Sequence, residues 1–133
     1  GAGRVRGVDH ADRSGDPGGM IPAGARVFVA TKPVDFRKGP ASLMALVKAS
    51  GADPFSGALY VFRAKRADRV KIVWWDGTGL CLFAKLLDEH GFHWPRIENG
   101  VIRLSSAQLL ALVEGMDWTR VKAVRERRPV SVG

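Results

Sequence analysis

Residues 58–87, ALYVFRAKRADRVKIVWWDGTGLCLFAKLL, decide how this chain folds. Ala58–Arg63 and Val70–Asp76 are β-branched and aromatic runs, a composition that suits a pleated, half-buried surface. Ala64–Arg69 between them is polar and charged and reads as a hairpin loop. Asp76-Gly77-Thr78-Gly79 supplies a second turn, with glycines free to take positive φ. Leu80–Leu87 returns as a third strand with a helical tendency near its end. Sequential strands with short links predict an antiparallel meander.

Upstream of the meander, Arg26–Thr31 is a short strand, stopped by Lys32-Pro33. Asp35-Phe36-Arg37-Lys38-Gly39 is a polar turn. Pro40 then opens a helix at its first position, with Leu43, Leu46 and Val47 at helical spacing and Gly51 at its end. Asp53–Gly57 turns the chain into the sheet. Downstream, Asp88–Gly91 breaks the pattern and Phe92-His93-Trp94-Pro95 is an aromatic loop or a short strand. Asn99-Gly100 marks a turn into a last strand, Val101–Leu104. Ser105 and Gln108 have capping-box spacing at the start of a helix that runs through Met116. Trp118 completes the core.

The expected architecture is α+β: an antiparallel sheet of about four to five strands with two helices packed on one face. Residues 1–19 hold six glycines and read as a disordered leader; 20–118 form the domain, and 119–133 a basic tail.

Charge narrows the function. Residues 63–71 hold Arg63, Lys65, Arg66, Arg69 and Lys71 against Asp68. Residues 120–128 hold Arg120, Lys122, Arg125, Arg127 and Arg128 against Glu126. Of 21 Lys and Arg, ten lie in these windows, and of 13 Asp and Glu, two; the remainder balances at 11 each. An excess so focused suits an anionic partner, and DNA is the foremost candidate. Arg63 and Lys65 share a strand face by period two, as do Arg69 and Lys71, so hairpin pairing is expected to gather the four. A two-stranded ribbon of this kind lies along phosphates or enters a groove. Trp74 and Trp75, adjacent in a strand, face opposite sides; one belongs to the core, and the other lies under a helix, in a partner interface, for which Trp75 is the candidate, or on the basic face as a stacking platform.

Catalytic chemistry finds little support. His90 and His93 lack further ligands at metal spacing. Cys81 sits in an apolar run and reads as buried core in a reducing, cytoplasmic setting. Gly77-Thr78-Gly79 is too short for a phosphate loop and precedes a strand. Asp35, Asp76, Asp88 and Glu114, the carboxylates a two-metal nuclease would need to cluster, are separate and sit at turns or a helix. No cofactor, no metal and no membrane are expected.

Several motifs occur in order: Val34-Asp35-Phe36-Arg37-Lys38-Gly39, Asp53-Pro54-Phe55-Ser56-Gly57, Tyr60-Val61-Phe62-Arg63, and Lys71 through Lys85 with its Trp74-Trp75-Asp76-Gly77 centre. Phe92-His93-Trp94-Pro95 and Glu114-Gly115-Met116-Asp117-Trp118 follow. Over residues 20–128 the chain resembles the accessory proteins of the second reading frame (TnpB) of the insertion sequence 66 family, which are distinct from the RNA-guided nucleases sharing that abbreviation. The resemblance implies a role in transposition beside a larger transposase that carries the catalytic carboxylates, and no activity of its own. Asp35, Arg37, Lys38 and Trp74–Gly77 are its signature positions. Pro40-Ala41-Ser42-Leu43 departs from a Phe-Asp-Gly-Leu-like run usual there, and residues 1–19 lie outside the pattern.

The expected function is a non-enzymatic accessory factor of transposition. Arg63, Lys65, Arg66, Arg69 and Lys71 bind DNA phosphates, joined by Arg37 and Lys38, while Arg125, Arg127 and Arg128 add non-specific affinity. The alternative is a protein-interaction module whose Trp75 face docks the transposase or a second copy of the chain.

Overall fold

The computed structural model describes residues 24–98 and 100–122. Five strands form one sheet: β1 (Val27–Ala30), β2 (Leu59–Arg63), β3 (Arg69–Trp75), β4 (Leu80–Leu86) and β5 (Val101–Leu104), in the order β4-β3-β2-β1-β5. The meander β2-β3-β4 is antiparallel, as its short links require, and β5 closes antiparallel on β1. β1 and β2 run parallel, so the sheet is mixed. A parallel pair needs a crossover, and α1 (Pro40–Ala49) supplies it.

The expected layering needs correction, although the α+β class holds. The two helices lie on opposite faces of the sheet. α2 (Ser106–Val113) buries Leu109, Leu112 and Val113 against Val27, Val29, Leu59, Val61, Val70, Ile72, Trp74, Cys81 and Phe83. α1 buries Leu43, Met44 and Val47 against Tyr60, Phe62, Val73 and Leu82. The reason is in the strands. Leu59–Phe62 is buried at every position, and Ile72, Val73 and Trp74 are buried in succession. A strand apolar on both faces needs cover on both.

Register aligns the two layers into rows. Phe83, Ile72, Val61, Val29 and Ile102 are successive partners across all five strands on the α2 face. Leu82, Val73, Tyr60, Phe28 and Arg103 form the matching row on the α1 face. There Phe28 stacks on Tyr60 at 5.8 Å and the Arg103 guanidinium lies 5.9 Å from the Phe28 ring. α1 packs on β3 and β4. It leaves an apolar groove of about 630 Å³ towards β1, lined by Phe28, Ala30, Leu46 and Val101.

The helix ends follow their capping chemistry. Pro40 is in the first turn of α1, where its missing N–H has no partner to lose, so the departure at residues 40–43 still starts a helix. Gly51, with φ of +93°, ends it. At α2 the Ser105 side chain accepts from the Gln108 N–H, and the Gln108 side chain accepts from the Ser105 N–H. α2 ends at Val113, earlier than its periodicity predicts. Gly115 takes φ of +77° and Met116 is exposed. β4 stays extended to Leu86, with no helical end. Trp118 opens a short 3-10 turn (Trp118–Arg120), packs on the α2-side core and donates its indole N–H to the His93 carbonyl. Trp74 is the core member of its pair; Trp75 is half-buried, with Phe55 edge-on at 5.2 Å.

Two local contacts generate tests. Gly91 lies so close to the β2–β3 loop that a Cβ there would sit 2.8 Å from the Ala67 Cβ. Gly91→Ala should therefore cost about 1–3 kcal/mol by overpacking, read as a lower urea midpoint; an unchanged midpoint would mean the loop yields freely. The Asp76 carboxylate accepts the backbone N–H groups of Thr78 and Gly79, each at 2.9 Å, and the Thr78 hydroxyl. These bonds, the Thr78 N–H first, hold its pKa well below the ordinary 3.8. A depressed folded pKa gives stability that is present above the unfolded pKa and lost as pH falls through the folded one. Stability should thus fall in acid below about pH 4, and Asp76→Asn should flatten part of that fall in urea titrations. Identical acid dependence of the two proteins would contradict the assignment.

Candidate nucleic-acid interface

The basic hairpin is built by β2, β3 and the loop between them, residues 64–68. Lys65 and Arg66 occupy the loop, both exposed, and Arg69 opens β3. The loop is braced on the side of the aromatic segment. The Ala67 carbonyl accepts the Phe92 N–H at 2.8 Å and the Trp94 indole N–H at 3.0 Å. The Asp68 carbonyl accepts the Leu87 N–H at 2.8 Å. The Phe-His-Trp-Pro segment is thus a strut beneath the hairpin; His93 within it and His90 before it are both exposed.

A second brace comes from the β1–α1 loop. The Val34 N–H donates to the Arg63 carbonyl at 2.8 Å. Lys71 donates its ammonium to the Phe36 carbonyl at 2.6 Å and to the Lys38 carbonyl at 3.1 Å, and lies 5.0 Å from the Phe36 ring. Asp35 holds the same loop from within. Its carboxylate accepts the Arg37 backbone N–H and a forked pair of guanidinium bonds from Arg37, the shortest 2.7 Å. The Arg37 side chain is the chief reason the Asp35 pKa falls to about 2. Burial lowers the Lys71 pKa, and the Asp35 carboxylate works against it.

The hairpin cations do not form one face. Pairing sets Arg63 opposite Val70 and Lys71 opposite Phe62. Val70 belongs to the α2-side core and Phe62 to the α1-side core, so Arg63 and Lys71 project to opposite faces. The expectation of four gathered cations is corrected: the loop sets a register that offsets these two by one position, and one position reverses the face. Both serve the scaffold. Lys71 fastens the β1–α1 loop, and the Arg63 guanidinium lies 5.4 Å from the Trp94 ring.

Lys65, Arg66 and Arg69 converge instead on an open cleft of about 470 Å³ between the hairpin loop and the β1–α1 loop. Pro33, Val34, Phe36 and Ala64 form its apolar lining, and Asp35 lines it as well. Asp68 lies 3.7 Å from both Arg66 and Arg69. Pairs at that distance on exposed arginines contribute little, about 0–1 kcal/mol, so the guanidinium groups remain available to an outside anion. Arg37 is the most exposed of the pairing side chains, and Lys38 is half-buried beside it. Sequence reasoning picked out the cations but missed the apolar lining. Its signal was the Val34–Gly39 motif, whose Phe36 is too apolar for an ordinary polar turn.

The second basic window contributes Arg120, 3.6 Å from Asp117, and the exposed Lys122. Arg125, Arg127 and Arg128 lie outside the described residues, as does the leader. Trp75 stands on the α1 face beneath Phe55, apart from the cleft. Asp35 and Asp76 each serve their own turn, and among the described residues no three His, Cys, Asp or Glu groups are placed to hold a metal ion. Among the same residues, no helix is long and apolar enough to cross a membrane.

The chain matches a family model described as IS66 Orf2 like protein over residues 25–123. It is similar to an uncharacterized protein, y4jC, of Sinorhizobium fredii, at 46% identity over 82% of this chain and 94% of that one. A second uncharacterized protein of the same organism, y4hO, is 39% identical over 86% of this chain and all of its own length. No solved structure matches significantly. The match spans every strand and both helices, and the chain belongs to the IS66 Orf2-like family, a family of accessory proteins of insertion-sequence transposition.

Proposed function

We propose that the protein is a non-enzymatic accessory factor of transposition that binds DNA through its phosphates at the β2–β3 hairpin. The observation that carries this reading is the convergence of Lys65, Arg66 and Arg69 on one braced cleft. Arg37 and Lys38 adjoin it on the β1–α1 loop. Arg63 and Lys71 contribute field and rigidity rather than direct contacts. Arg125, Arg127 and Arg128 add non-specific affinity, as a basic tail does for any polyanion. Phosphate contacts position a protein on DNA without reading its sequence, so the reading predicts affinity with weak sequence preference.

A second reading has its own support. The apolar groove beside α1 and the Trp75–Phe55 pair are surfaces for a protein partner, the transposase or a second copy. The two readings differ in which surface carries the affinity.

Fluorescence anisotropy with a terminal-repeat duplex and a scrambled duplex, across a salt series, separates them. Three to five engaged cations give a slope of log K against log salt of about −3 to −5. The double variant Arg66→Glu/Arg69→Glu should weaken binding to both duplexes by about tenfold or more while leaving the circular dichroism unchanged. Undiminished binding in that variant would remove the hairpin from the interface. Absence of binding at low salt would favour the docking reading.

A further inference from the structure

The cleft at the hairpin tip has a shape that duplex phosphates alone do not use. We infer that it seats an unpaired nucleotide, its base against Phe36 and Val34 and its phosphates on Lys65, Arg66 and Arg69. This rests on the DNA-binding reading and names the form of DNA the site prefers.

Three observations support it. First, the lining divides by chemistry: Pro33, Val34, Phe36 and Ala64 are apolar, the cations stand on the hairpin side, and Asp35 is the single acid. A duplex keeps its bases stacked inside and offers only phosphates to a surface, so it would meet the cations and leave the apolar lining in water. An unstacked base offers both a flat apolar face and, a few ångströms away, its phosphates, as single-strand binding grooves exploit. Second, the cleft volume of about 470 Å³ lies in the range of small-molecule pockets, which suits a nucleotide and not a duplex. Third, the cleft is fixed in advance. The Val34–Arg63 backbone bond and the Lys71 ammonium on the Phe36 and Lys38 carbonyls hold one wall, and the Ala67 carbonyl bonds hold the other. A site already ordered loses less freedom on binding. Asp35, the acid in the lining, is already occupied by the forked Arg37 guanidinium, so its charge does not face the phosphates unopposed.

The test uses the full chain and three labelled oligonucleotides: a plain duplex, the same duplex with one bulged base, and one of its strands alone. Anisotropy should show the bulged duplex or the single strand bound about fivefold to tenfold more tightly than the plain duplex, the size of effect one stacked base gives. A 2-aminopurine at the bulge should change its fluorescence on binding. Ala64→Leu fills the cleft from the hairpin side and removes no cation; it should bring the bulged-duplex and single-strand affinities down to that of the plain duplex, so that the ratio between them falls to about one. Phe36→Ala should do the same, but Phe36 also packs on the α1-side core, so Ala64→Leu is the deciding variant. Equal affinity for all three oligonucleotides, or a preference that survives Ala64→Leu, would overturn the inference while sparing the phosphate-binding reading. Failure to bind any of the three would overturn both.

Discussion

The fold rests on strands that are apolar on both faces. Val29, Val61, Ile72 and Phe83 need cover on one side; Tyr60, Phe62, Val73 and Leu82 need it on the other. That demand splits the helices between the faces. Satisfying it from a chain this short makes the first connection a crossover, so β1 lies parallel to β2 with α1 between them in sequence. Each large side chain so buried contributes roughly 1.5–3 kcal/mol, against about 0–1 for an exposed ion pair. The sheet therefore sets the position of the hairpin, and the hairpin's charges are free to serve something other than stability.

Those charges divide into two kinds. Lys71 and Arg63 leave the hairpin on opposite faces and are absorbed by carbonyls and by an aromatic ring. They fasten the β1–α1 loop and the Phe92–Trp94 strut to the hairpin. Lys65, Arg66 and Arg69 stay outside, with Arg66 and Arg69 at ion-pair distance from Asp68. Gly91 permits the strut to approach, since a side chain there would strike Ala67. The family motifs fall on this assembly. Val34–Phe36 of the first motif lines one wall of the cleft, and Phe92–Pro95 forms the strut behind the other.

Much of this was legible in the sequence. The meander announced itself through two β-branched runs and a Gly-rich turn, and α2 through its capping box. Pro40 and Gly51 marked both ends of α1. Helix periodicity alone does not tell which face of the sheet each helix covers. The unbroken apolar run Leu59–Phe62 already required two-sided cover. The cation face was misread because hairpin register depends on loop geometry, which residue types between Arg63 and Arg69 do not fix. A shift of one residue moves a side chain to the other face. The cleft was illegible for a different reason: its walls come from segments thirty residues apart, joined through backbone carbonyls that carry no sequence signal.

The most direct test of the account is the amide spectrum of the isotope-labelled protein during titration with a short duplex. Binding at the hairpin, with the basic tail adding affinity, predicts shifts at residues 34–38, 64–69 and 125–128, with the Asp76–Gly79 turn and the groove residues Leu46 and Val101 unmoved. Shifts centred on Leu46, Val101 or Trp75, with residues 64–69 silent, would contradict it and move the functional surface to the other side of α1.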